Sequence, residues 1–464
     1  MLTAGKKKMP SFSTKRENMN NEHMNRVLSF RWAIFAALGA AYILVFFNQM
    51  SVAVVAKDIM KDLDSNATMI GVMASIYFYV YAAMQIPAGL LCDSVGSRKT
   101  VSFSLGIAAF GALLFGFAPT TQVAMIGRGL VGLGVSAVFI ATMKIAAEWF
   151  AVREFAKMQG IITSLGGVGV LLGTFGLGWL AKAFGWRIVF QVIGVSTGLL
   201  VFVIWFLVRN SPKEKGWPSI AEIENFRTGQ KPPQSPEPIS LGQGVKMVLK
   251  EPRFYPLALW FFCNAGTFFA FGGLWAGPYF MDVYGLSKPQ VGTILSMIAW
   301  TMIVVSPFMA TLSNNIFKSR KNNMIFCTAC LSILFMFLRM YPSGLPVQAL
   351  SFIIIFFTAV SACTMVVAFT TLKELYPIQI AGTSVAIGNF FPFFGGAIYM
   401  GILGKILDGF GRNSDGAYPV DGYTMVLTFL TMSSILQLIC SFFLKETFPE
   451  KAFEKAKMVK KTQN

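Results

Sequence analysis

Trp32-Ala-Ile-Phe-Ala-Ala-Leu-Gly-Ala-Ala-Tyr-Ile-Leu-Val-Phe-Phe-Asn-Gln-Met-Ser-Val-Ala-Val-Val-Ala56 runs for 25 residues without a charged side chain. At a rise of about 1.5 Å per residue, such a helix crosses a hydrocarbon core about 30 Å thick. A helix of a soluble protein turns one polar face to water, and this stretch has no such face. Similar runs fill the chain. Trp186–Val208, for example, carries a single charge, Arg187, at its start. Spans are expected near 32–56, 69–92, 100–118, 123–147, 158–183, 186–208, 254–281, 289–312, 324–341, 347–372, 378–406 and 423–444. The chain reads as an all-α integral membrane protein with twelve transmembrane helices.

Composition agrees. The chain is 55% hydrophobic and 13% charged, against about 25% charged in soluble domains. Its net charge of +18 sits in short loops and tails rather than on one helical face, which is the positive-inside pattern and not a nucleic-acid surface. Six cysteines lie in or beside apolar runs, so no disulfide framework is expected. The Cys327–Cys330 pair has no acidic or histidine neighbour and reads as two buried thiols. The polar, basic tail 1–31 has no apolar core and is not a signal peptide.

The longest polar stretch, 209–253, divides the spans six and six and carries eight Lys/Arg, five Glu and a Pro-rich run from Lys231 to Pro238. It reads as a solvated linker with one amphipathic segment near 240–250. The domain plan is therefore a tail 1–31, a bundle 32–208, the linker 209–253, a bundle 254–444 and a tail 445–464. Both tails, the linker, Arg98 with Lys99, and Lys318 to Lys321 fall on one side, so both termini are expected in the cytoplasm. The halves echo each other. Met69 to Ser75 matches Gln290 to Ser296, Asp93 corresponds to Asn314, and Thr142-Met-Lys144 matches Thr371-Leu-Lys373. Two parallel repeats are an architecture of transporters, with the solute site between them.

The turn Gly89-Leu-Leu-Cys-Asp-Ser-Val-Gly-Ser-Arg-Lys-Thr100 joins the second and third spans. Its glycines permit a tight reversal, and Asp93 at a helix C-terminus needs a cation or another helix's N-terminus. This turn resembles the signature of the major facilitator superfamily. Arg128 with Gly132 and Gly134, and Gly185-Trp-Arg187, extend the resemblance. Leu274 to Tyr279 and Glu148-Trp-Phe150 look like a bacterial branch grouped with sugar-phosphate permeases and organic anion transporters. The resemblance implies two pseudo-symmetric six-helix bundles, with Gly89, Asp93, Gly96, Arg98 and Lys99 as a conformational clamp. Two features depart from the pattern. Asn314 stands where the second half usually has an acid, and the fifth span lacks the proline of drug antiporters.

Ionisable residues inside spans are costly and point to function. Arg128 is expected near the outer end of the fourth span. Lys144 is expected near its inner end with Glu148 one turn further on, an i,i+4 pair. Lys373 and Glu374 lie near the inner end of the tenth. No Asp or Glu falls mid-span, and the only histidine, His23, is in the tail. Proton coupling is therefore expected to be weak, with Glu148 and Glu374 the candidate coupling groups. Asn48, Gln49, Tyr77, Tyr81, Gln85, Asn264, Trp275 and Asn389, with Arg128 and Lys144, are the expected lining of a hydrated pathway.

The resemblance implies a secondary transmembrane transporter moving a small polar metabolite, organic anions included, by alternating access. Two rivals stand beside it: a uniporter for dipeptides or amino acids, like the superfamily's lysosomal dipeptide branch, and a transporter-like sensor of a metabolite. No phosphate-binding loop, nucleophile–base pair or metal constellation occurs in the sequence. Enzyme activity, cofactor and metal are not expected. The expected partners are a small-molecule solute and the lipid bilayer, with no nucleic acid. The expected setting is a monomer in the bacterial inner (plasma) membrane.

Overall fold

The computed structural model describes residues 12–228, 241–377, 380–414 and 416–448. The Pro-rich run Lys231–Pro238, the first residues of the N-terminal tail and most of the C-terminal tail lie outside them. Twelve spans run back and forth. They are α1 (Phe12–Met50, continued by Val52–Asp62), α2 (Ala67–Ala83, continued by Gln85–Leu91), α3 (Ser97–Gly116), α4 (Thr121–Trp149), α5 (Val152–Leu171, continued to Phe184) and α6 (Trp186–Leu207). The second six are α7 (Phe254–Thr267, continued to Tyr284), α8 (Lys288–Thr311), α9 (Arg320–Met340), α10 (Val347–Val360, continued by Met365–Leu375), α11 (Ala381–Phe410) and α12 (Val420–Phe442). Among the described residues, eleven helices are long and apolar enough to cross a membrane, and the shorter apolar helix Ala67–Ala83 makes the twelfth span.

Local chemistry sets the ends. The Asn66 side chain accepts from Met69 N at 2.9 Å to start α2, and Ser319 accepts from Asn322 N at 3.0 Å to start α9. Gly96 reverses the chain between α2 and α3 at φ +95°, a conformation open to glycine and strained for other residues. Gly89 carries no such demand: a Cβ there would meet nothing within 4 Å. α1 begins at Phe12, inside the stretch that reads as tail, and the amphipathic segment of the linker is the helix Leu241–Lys250. All six cysteines are free.

The halves meet chiefly through α2 against α11 and α5 against α8. At the first crossing Ser75 Oγ donates to Ala397 O of the other half at 2.5 Å. The side that holds the start of α1 and the end of α12 is called the terminal side, and the opposite one the far side. Among the described residues, the ion pairs that bridge the halves lie on the far side: Lys57 with Asp282, and Lys288 with Asp58 at 2.7 Å. On the terminal side Arg31–Glu154, Lys144–Asp93 and Arg320–Glu374 each stay within one half. The far ends are locked together.

Candidate functional site

Arg128 stands two turns into α4 from the far end, about 10 Å along the axis. It is 1% exposed. α4 approaches α2 so closely that a Cβ on Gly132 would lie 2.4 Å from Tyr77 O, and this approach lays the guanidinium 4.8 Å from the Tyr77 ring centre. Nη2 donates to Asn48 O at 2.9 Å. Nε and Nη1 have no hydrogen-bond partner, and neither do Asn48 Oδ1 and Gln49 Oε1. Stacking on a ring offsets part of the desolvation of a cation, about 0.5–2 kcal/mol. An uncompensated buried charge still costs several kcal/mol. The site therefore holds a positive charge with two unsatisfied donors and two unsatisfied acceptors beside it.

From Tyr77 the polar track runs toward the terminal side. The Tyr77 and Tyr81 rings stack at 6.1 Å, and Tyr81 meets Phe393 of the other half at 4.3 Å. Gln85 Nε2 donates to Tyr81 O at 3.3 Å, and Asn389 Nδ2 reaches across to Gln85 Oε1 at 3.2 Å. Tyr81, Gln85 and Asn389 thus come together between the halves, whereas Arg128 packs inside the first half against Asn48 O, Tyr77 and the Phe115 ring at 5.7 Å, with Gln49 buried next to Asn48 on α1. Asn264 and Trp275 do not join them. Asn264 donates to Ser361 O at 3.2 Å and accepts from Gln437 Nε2 at 2.9 Å, inside the second half. Trp275 Nε1 donates to Met400 O at 3.1 Å, in the packing of α7 on α11.

The turn between α2 and α3 is wired differently from the sequence reading. Asp93 pairs with Lys144, which also donates to Cys92 O at 2.8 Å. Arg98 stacks on Trp205 at 4.9 Å and donates to Trp205 O at 3.0 Å. Lys99 and Glu148 are exposed, so the expected i,i+4 partnership of Lys144 with Glu148 gives way to a contact with the neighbouring turn. In the second half Arg320 grips Glu374 at 3.1 Å and Asn314 at 2.5 Å, and Lys373 is exposed.

The far-side lock was not expected from the sequence. Asp282, its side chain 1% exposed, takes Lys57 from the other half, Tyr423 OH at 2.7 Å and Tyr418 N at 3.2 Å. Asp408 stands at the C-terminal turn of α11, the unfavourable end for an acid. Its carboxylate accepts from Ala67 N at 3.0 Å and Thr68 N at 2.7 Å, the first donors of α2 in the other half. Arg412 donates to Ser65 O at 2.6 Å and Tyr418 OH to Asp408 at 2.6 Å. Burial, and then the bond to Asp408, holds the Tyr418 phenol above its ordinary range, so it stays a donor. Asp408 thus caps α2 across the interface.

Twelve spans, two halves meeting through α2/α11 and α5/α8, and a polar track between them define an alternating-access architecture. The sequence profile of the Major Facilitator Superfamily matches residues 38–400, and the chain belongs to that family. It is 25% identical over 290 residues to an uncharacterized transporter of Bacillus subtilis, covering 62% of this chain and 66% of that protein. It is 23% identical over 395 residues to the D-galactonate transporter of Escherichia coli O6:H1, covering 82% and 90%. Matches to two further curated relatives, probable galactarate/D-glucarate transporters of Escherichia coli K12 and Bacillus subtilis, span 41% and 45% of their length. The crystal structure of a bacterial homolog of the human lysosomal transporter Spinster, in an inward-facing and unoccupied conformation, superposes with a TM-score of 0.70 at 16% identity over 89% of this chain and 98% of that one.

Proposed function

We propose that this protein is a secondary transporter that carries a small organic anion across a bacterial inner membrane by alternating access. The carrying observation is Arg128, a fully buried cation with two unsatisfied donors and no carboxylate partner among the described residues. A substrate carboxylate fits it: two parallel N–H···O bonds to a guanidinium fix orientation as well as energy. The D-galactonate relative supports the same class. In this reading 32–208 and 254–444 move as bodies about the α2/α11 and α5/α8 contacts, and both termini face the cytoplasm, a reading supported by the basic loops on their side. The chain works as a monomer, with solute and lipid as its partners. The dipeptide reading gains nothing from the site. A dipeptide's ammonium needs an unpaired buried carboxylate, and Asp282, the buried acid described here, already holds Lys57. The sensor reading has no feature of its own in the site.

The test is thermal stabilisation of the purified protein by a metabolite library, followed by flux into proteoliposomes, since a ligand stabilises the state it binds. Anionic members should raise the melting temperature and neutral ones should not. Arg128→Gln should lose the anion response, and Arg128→Lys should keep a small part of it. Equal responses to neutral compounds, or an unchanged Arg128→Gln, would remove the assignment.

A further inference from the structure

We propose that the linker helix Leu241–Lys250 is a docking surface for an anionic phospholipid of the leaflet on the terminal side. The inference is independent of which solute the protein carries.

The buried side of the helix fixes its place. Gly244 and Val248, one turn apart, face the bundle. A Cβ on Gly244 would stand 3.3 Å from Thr383 Oγ1, in the first turn of α11. Val248 is fully buried in a cluster with Phe254, Leu372 and Ile380, and its carbonyl accepts from Tyr376 OH at 3.1 Å. Three residues, Glu251 to Arg253, then lead into α7 at Phe254. The helix is thereby held beside the point where a span enters the bilayer.

The outer side carries charge. At about 100° per residue, Gln243, Lys246 and Lys250 point away from the Gly244–Val248 face. With Met247 they line a shallow hollow of about 340 Å³. Among the described residues neither lysine is paired with an acid, and Glu251 is taken by Arg253 at 3.6 Å. Two ammonium groups on consecutive turns over one hollow complement an anionic headgroup.

The apolar surroundings select a lipid over a soluble anion. Met247 and Leu249 flank the lysine pair, one on each side, and are 42% and 44% exposed. At a membrane interface such side chains enter the acyl boundary while the lysine stems carry their charges up to the phosphates. Tyr255 extends this surface. Its hydroxyl donates to Leu249 O at 2.9 Å. With Leu259, one turn deeper, it is exposed on the side of α7 turned away from the buried Phe254, Leu257 and Phe261. Leu249, Tyr255 and Leu259 make an apolar strip from the hollow into the span, along which one acyl chain can lie. A lipid seated here holds the helix, and through Gly244 the start of α11, to the plane of the membrane.

The experiment is amide hydrogen exchange of the full-length protein in two kinds of nanodisc, phosphatidylcholine alone and phosphatidylcholine with one third phosphatidylglycerol. The readout is the ratio of exchange rates of residues 245–250 in the two, so a change in helix stability common to both cancels. A lysine near an anionic surface gives about a fivefold preference. The helix should therefore exchange at least fivefold more slowly in the anionic nanodiscs. The ratio should fall to near one in the double variant Lys246→Gln/Lys250→Gln and in molar sodium chloride, and Lys246→Arg/Lys250→Arg should keep it. Equal exchange in the two nanodiscs, or an undiminished ratio in the double glutamine variant, would overturn the proposal. Equal protection in phosphatidylcholine nanodiscs by excess inorganic phosphate would overturn the lipid as occupant in favour of a soluble anion.

Discussion

Replacing Asp408 with alanine tests the far-side lock at its most informative point. The carboxylate holds two backbone donors of α2, at 3.0 and 2.7 Å, and the Tyr418 hydroxyl at 2.6 Å. A hydrogen bond to a charged group contributes about 1.5–3 kcal/mol net, and an acid at a helix N-terminus about 0.3–1 kcal/mol. Asp408 is half-buried, and water re-solvates the released N–H groups once the halves part. The low end applies, about 2 kcal/mol in total. The bonds to α2 exist only while the far side is closed, so the loss falls on that state and shifts its ratio to the far-open state roughly 30-fold. Asp408→Asn keeps an acceptor and should shift it by about fivefold, near 1 kcal/mol. Met60, buried with its sulfur 3.3 Å from Arg412 Nη2, reports opening when changed to cysteine. A membrane-impermeant maleimide added from the far side should label it faster by these factors in the two Asp408 variants. An unchanged labelling rate in Asp408→Ala would refute the claim that the cap holds the halves together.

The adjacent ion pairs predict their own rescue. Lys57→Asp should speed labelling of the same cysteine, and adding Asp282→Lys should restore most of the original rate, because the pair is reversed rather than removed; no restoration in the double variant would dismiss the pair as a structural element of the lock. Asp93→Asn should change the melting temperature little, since exposed pairs contribute about 0–1 kcal/mol, yet it should lower the transport rate strongly if the turn acts in the far-open state. Wild-type flux in that variant would dismiss the turn as a clamp.

Most of the architecture was legible because the bilayer imposes one requirement on every span, a continuous apolar run, and the sequence displays it twelve times. The buried charge was legible too: Arg128 stands out in any apolar stretch. The lock was hidden by the rule that revealed the spans. Hydropathy ended the seventh and eleventh spans at 281 and 406, just short of Asp282 and Asp408, which are helical and belong to α7 and α11. Their partners lie hundreds of positions away, and no local spacing announces them. The same limit explains Lys144. Its i,i+4 neighbour Glu148 is the choice that a single helix offers, whereas Asp93 is brought to it by tertiary packing of the α2–α3 turn against α4. Asn264 and Trp275 illustrate the converse error, since a polar or indole group inside a span is equally well spent on a neighbouring helix of its own half.

The lock is also electrically silent. Lys57, Lys288 and Arg412 carry three positive charges, and Asp58, Asp282 and Asp408 three negative ones. Lys57 pairs with Asp282 and Lys288 with Asp58, while Arg412 and Asp408 meet through the hydroxyl of Tyr418, and all six lie at the far rim, where little of the transmembrane voltage falls. Opening and closing this rim therefore displaces no net charge through the field. Any voltage dependence of flux must then arise from the carried anion and from Arg128, the charges that lie deeper. A current recorded during transport would count the charge of the cargo together with that of any co-transported ion, without a correction for the movement of the gate.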